Sequence, residues 1–163
     1  MKTKTLFENL VKNDVYQVFL LSSPAHFPLS AWTHPWVVIN KKGKLSRYEV
    51  RHKHNRVQPA LGHIHVNDLP LFDGIEVFLF LDHPRWNPIL LGQIEGEENS
   101  AAQKMCAFVE NSIQTYADKD RYSLFGPNSN TYIQWILDNF PEFKGKLRWN
   151  ALGNDHAKGK KNT

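Results

Sequence analysis

The sequence predicts an α+β fold, a mostly antiparallel sheet packed against two main helices. Short β-branched and aromatic runs fill the chain as far as Gly96. Two amphipathic stretches with a three-to-four-residue period follow. Strands gathered early and helices gathered late favour one sheet with helices on a face over alternating βαβ units. A chain of 163 residues, 41% of them hydrophobic, is long enough to bury a sizeable core. Residues 1–155 are therefore expected to form a single globular domain, and the basic segment 156–163, apolar only at Ala157, a disordered tail.

In chain order, Leu6, Leu10 and Val11 fall at helical spacing and predict a short helix from Thr5 to Lys12. "VYQVFLL" predicts a strand from Val15 to Leu21, because β-branched and aromatic side chains suit a pleated surface. A proline-bearing loop from Ser22 to Thr33 follows. "PWVVIN" and "KLSRYEVRHK" flank "KKG" and read as a hairpin with its tip at Lys41 to Gly43. "LGHIHVN" alternates, "IEVFLFL" from Ile75 to Leu81 is almost continuously apolar, and "ILLGQIEG" from Ile89 completes the strands. In "EENSAAQKMCAFVENSIQTYAD", Ala102, Met105, Cys106, Val109, Ile113 and Tyr116 recur on one helical face. The last helix follows Pro127, with Ile133, Ile136, Leu137 and Phe140 on one side and Asn139 to Pro141 ending it.

Composition narrows the function classes. One cysteine excludes an internal disulfide and a multi-cysteine zinc site. The N-terminal apolar run is short and interrupted by Gln17, so neither a signal peptide nor a membrane span is expected, and the location is taken as cytoplasmic. The formal charge of +4 comes largely from Lys41–Arg56 and from the tail. Tyrosine, glutamate and valine are interspersed in the first group, which suits a solvated strand face better than a phosphate-binding stripe. Nucleic-acid binding through this hairpin, with Trp32, Trp36 and Tyr48 available for stacking, is thus the weakest alternative.

The candidate chemistry lies elsewhere. Cys106 is on the apolar stripe of its helix and reads as a small buried hydrophobe. His63 and His65, and again His52 and His54, share strand faces, yet no further ligand follows at a diagnostic spacing. No metal and no cofactor are expected. His26 and His83 sit in loops without further signal. Two positions remain: His34, entering a strand between two tryptophans, and Ser129 in "GPNSNT", where a loop becomes a helix. A helix N-terminus offers unpaired N–H groups and a partial positive charge that would stabilise an oxyanion. Asn, Ser and Thr are also the favoured N-caps, so Ser129 is read either as a cap or as a nucleophile.

The segments "HPWVVINKKGKLSRYEV", "GHIHVNDLPLFDG", "FGPNSNTYIQWI" and "ALGND" resemble, in this order, the blocks of an uncharacterised bacterial family, domain of unknown function 3750. The likeness spans His34 to Asp155, and "GPNSNT" is its most specific part. More distantly, the order of an early strand histidine, a polar residue on its hairpin partner and a small nucleophile at a late helix start is similar to circularly permuted NlpC-type papain-like enzymes. That resemblance implies a papain-like architecture with Ser129 in place of cysteine, His34 as general base, and Glu49, or else Arg47 or Ser46, orienting the imidazole. Backbone N–H groups at Ser129 and Asn130, with the Asn128 or Asn130 amide, would line the oxyanion hole or cleft. A hydrolase or acyltransferase acting on a small molecule, peptide or lipid is the activity implied. The alternative is a non-catalytic ligand- or protein-binding module on the same fold. Serine in place of cysteine is the departure: a hydroxyl is far less acidic than a thiol and needs a well-oriented base.

Overall fold

The computed structural model describes residues 7–25, 29–52, 61–75 and 87–156. Five antiparallel strands make one sheet, β1 (Tyr16–Pro24), β2 (Thr33–Lys41), β3 (Lys44–Val50), β4 (Ile64–Val66) and β5 (Ile89–Gly96). Their spatial order is β4-β3-β2-β1-β5. Two helices follow, α1 (Ala101–Thr115) and α2 (Ser129–Asp138). The α+β class, the antiparallel sheet and the two main helices are as the sequence predicts. At the N-terminus only Phe7 and Glu8 of the expected helix are helical among the described residues. The strand expected over "IEVFLFL" lies outside the described residues except for Ile75, and His26, His54, His83 and residues 157–163 also lie outside them.

The β2–β3 hairpin sets the register that matters. Val37 faces Tyr48 and Lys41 faces Lys44, closed by Lys42 and Gly43 with φ of 51° and 90°. Positive φ at both central residues is the two-residue turn whose twist matches that of paired strands. β1 runs further than the sequence predicts, to Pro24, because Ser22, Ser23 and Pro24 pair with Pro35, His34 and Thr33. The expected loop therefore begins only after Pro24, and a bulge between Leu20 and Leu21 adjusts β1 to β5.

Alternation divides the sheet into two faces. Val18, Leu20, Val37, Ile39 and Tyr48 pack against Met105, Cys106 and Val109 of α1 and against Tyr132, Ile133 and Ile136 of α2. Burying such side chains is the main favourable term in folding, about 25 cal/mol per Å² of apolar surface. On the opposite face Phe19, Leu21, Trp36 and Val38 form a second cluster with Phe7 and Phe72. Cys106 is buried, as expected, with Sγ against the carbonyl oxygens of Gln17 and Asn40, and burial pushes its thiol up to about 11. Ser100 caps α1 by accepting the Gln103 N–H.

Candidate active site

On the face opposite the helices, β2 carries His34, Trp36 and Val38, and β3 carries Arg47 and Glu49. The register brings the last two beside the first two. Glu49 is fully buried, and its Oε2 accepts from His34 Nε2 at 2.9 Å and from Arg47 Nη2 at 2.9 Å. Arg51 Nε stands 3.4 Å from the other oxygen. Burial pushes the Glu49 carboxyl up, but the His34 hydrogen bond and the Arg47 and Arg51 charges outweigh it and hold the group at about 2. Glu49 is an anion at neutral pH. Burial lowers His34 from 6.5, with the Glu49 hydrogen bond opposing, so the ring is neutral there. A neutral imidazole donating from Nε2 to a carboxylate keeps its lone pair on Nδ1.

Arg47 is the residue that the sequence left as an alternative orienter. It is wholly buried, donates from Nη1 to the carbonyls of Pro70 at 2.6 Å and Asp73 at 2.5 Å, and lies 4.2 Å from the Trp36 ring centroid. It positions Glu49 and ties β3 to the loop over the second cluster. Ser46 is on the other face of β3 and pairs with Ile39 in the ladder. Of the three alternatives for the orienter, Glu49 alone contacts His34.

At the start of α2 the cap is Asn128, not Ser129. Asn128 Oδ1 accepts from the backbone N–H groups of Asn130 and Thr131, and Thr131 Oγ1 accepts from the Asn128 N–H in return. This reciprocal box satisfies the free donors of the first turn. The Asn128 amide donates to Leu124 O and Leu152 O, and the Asn130 amide to Thr33 O and Leu152 O. Both side-chain amides are thus engaged in holding "GPNSNT" against β2 and the "ALGND" segment. The Asn130 N–H is engaged in the cap as well, which leaves the Ser129 N–H as the unengaged donor of those considered, among the described residues.

His34, Ser129, Asn128 and Asn130 line one cavity of about 700 Å³ at the Thr33 end of β2. Ser129 is 5% exposed, and its Oγ makes no hydrogen bond among the described residues. No hydrogen bond joins Ser129 to His34. The physical reason is the pleat: His34 leaves β2 on the face opposite α2, so histidine and serine approach only round the strand end.

His63 and His65 are held by neighbours. His65 Nδ1 contacts Asp68 Oδ2 at 2.5 Å and Arg51 Nη2 at 3.1 Å; His63 Nδ1 lies 3.2 Å from Arg51 O, and its ring packs beside His52 and Tyr122. No cluster of three or more metal-ligating side chains occurs among the described residues. Nor is any helix among them long and apolar enough to cross a membrane.

Fold and site together define an α+β protein with a buried His–Glu–Arg network opening on a cavity at a capped helix start. Residues 15–156 match the family described as protein of unknown function (DUF3750), and the chain belongs to that family. No curated protein and no solved structure matches it.

Proposed function

We propose that this protein is a hydrolase or acyltransferase with a papain-like arrangement in which serine occupies the nucleophile position. The observation that carries this reading is the buried His34–Glu49 pair, whose imidazole faces the cavity that Ser129 also lines. Burying an ionised carboxylate is costly unless it is paired, and here Arg47 balances its charge while the same oxygen meets the His34 ring nitrogen. The chain order of histidine, polar hairpin partner and late-helix nucleophile resembles that of permuted NlpC-type enzymes, with Ser129 standing in place of their cysteine.

In this reading His34 Nδ1 takes the Ser129 proton as Oγ attacks an ester or amide carbonyl, and Glu49 holds the Nε2–H and stabilises the imidazolium. The developing oxyanion meets the Ser129 N–H at the positive end of α2. His34 then returns the proton to the leaving group, and water or an acceptor alcohol or amine releases the acyl group. The reaction requires Oγ and Nδ1 to come within hydrogen-bond reach round the end of β2 when substrate binds.

A second reading has its own observation. Because Ser129 Oγ is not bonded to His34, the same cavity serves equally as a non-catalytic ligand site. The two readings separate on a panel of 4-nitrophenyl esters and anilides. Turnover that disappears in both Ser129→Ala and His34→Ala supports catalysis. Turnover that survives Ser129→Ala, or none in the parent protein, leaves the binding site.

A further inference from the structure

The lining of the cavity goes beyond the reaction class to the kind of substrate. Leu29, Trp32, Leu69, Ile75, Leu124 and Leu152 form its apolar wall. No aspartate or glutamate lines it among the described residues. Of the other polar members of its lining, Arg51 is already bonded to Asp68 at 2.9 Å and stands against Glu49, His52 and Tyr122 pack ring against ring with centroids 5.1 Å apart, and the Ser123 backbone closes the turn to Pro127. The polar groups at Thr33, His34 and Asn128–Asn130 are contiguous in sequence or joined by the Asn130-to-Thr33 hydrogen bond, so they form one polar patch beside the apolar wall.

A site of about 700 Å³ is in the ordinary range for small ligands. Its apolar wall would take an aliphatic chain out of water. A peptide would fare worse there. Its amide groups need partners along their whole length, and a free amine would find no carboxylate.

We infer that the cavity is an acyl-chain site, and that the substrate is an ester or thioester of a medium-length fatty acyl group with its carbonyl at the polar patch. This rests on the reading of the cavity as the substrate site of the proposed hydrolase. Each buried methylene contributes about 0.8 kcal/mol, roughly a fourfold gain in affinity.

The test uses 4-nitrophenyl esters from acetate to decanoate with the full chain, beside calorimetric binding of N-methylacetamide, N-methylhexanamide and N-methyldecanamide to Ser129→Ala. In the esters kcat/KM should rise roughly fifteenfold for every two carbons until the cavity is filled. Binding of the amides should follow chain length in the same way. Leu124→Asp, at a position 38% exposed and so compatible with folding, should cut the preference for decanoate over acetate at least tenfold. Ester turnover without chain-length preference would overturn the acyl-chain assignment and leave the hydrolase standing. Chain-dependent binding with no ester turned over would uphold the acyl site and remove the hydrolase. Neither turnover nor amide binding would overturn the acyl-chain assignment as well.

Discussion

At the scale of single residues, Asn128 and Ser129 stand next to each other with opposite duties. Asn128 accepts two backbone N–H groups of α2 and donates to Leu124 and Leu152, so it holds the helix start and its two neighbouring loops. Ser129, though buried, makes no hydrogen bond among the described residues and faces the cavity. Replacing a capping asparagine by alanine costs about 0.5–2 kcal/mol, and here the two amide bonds add to it. Asn128→Ala is therefore expected to lower stability by about 2 kcal/mol or more in urea denaturation, while Ser129→Ala changes it by less than about 0.5 kcal/mol. Equal losses in the two variants would show that the serine, too, is structural. Which of four adjacent polar residues caps the helix was not legible in "NSNT", since each side chain is competent. The choice is made by Thr131, which closes the box, and by Gly153, whose neighbourhood admits the Asn128 amide.

Among the elements, those set by local pattern were readable. The hairpin follows from alternating residues on either side of a Lys-Gly turn, and both helices follow from a regular apolar stripe. The triad order came from resemblance, and alternation then paired His34 with Glu49 once the register was set. What local pattern could not carry was the depth of Arg47, which reads as part of a basic surface strand. It is buried because Glu49, Trp36 and two loop carbonyls converge on it from separate parts of the chain. The "ALGND" segment is similar: its role against α2 is visible only in three dimensions. Gly153 has a φ of 87°, and a Cβ there would stand 2.6 Å from Asn128 Nδ2. Gly153→Ala therefore combines a left-handed backbone, about 1–2 kcal/mol, with displacement of the capping amide. It is expected to destabilise the fold by about 2 kcal/mol or more, and combination with Asn128→Ala should add less than the sum of the two. Full additivity in denaturation experiments would mean that the segment does not act through the cap.

For the whole molecule, the ionisable groups that matter most to stability are those beneath the cavity, away from the helix-covered core. Glu49 is held at about 2, against an ordinary 4.5, by the His34 hydrogen bond and by Arg47 and Arg51 acting over the opposing effect of burial. The unfolded chain therefore takes up this proton as pH falls through about 4.5, whereas the folded chain resists until about 2. The stability contributed by Glu49 is complete above about 4.5 and lost between there and about 2. Burial of His34 acts in the same direction and begins earlier. Its folded form resists protonation below 6.5, so the unfolded state binds the extra proton first and is favoured as acidity increases. Stability should fall from about pH 6.5 downward and more steeply below about 4.5. Other carboxylates also contribute to acid unfolding, so the comparison that isolates this network is with Glu49→Gln. That variant leaves the Arg47 guanidinium buried without its carboxylate, a loss of about 3–5 kcal/mol at neutral pH. The advantage of the parent protein over Glu49→Gln, measured by urea denaturation across a pH series, should be largest near neutrality and shrink as pH falls below about 4.5, because the protonated glutamic acid then resembles the neutral amide. A difference that stays constant down to pH near 2.5 would show that the Glu49 carboxyl titrates alike in the folded and unfolded chains, so that nothing in the fold holds it low. The same result would mean that His34, Arg47 and Arg51 do not together stabilise the anion that sets the Nε2–H tautomer of His34.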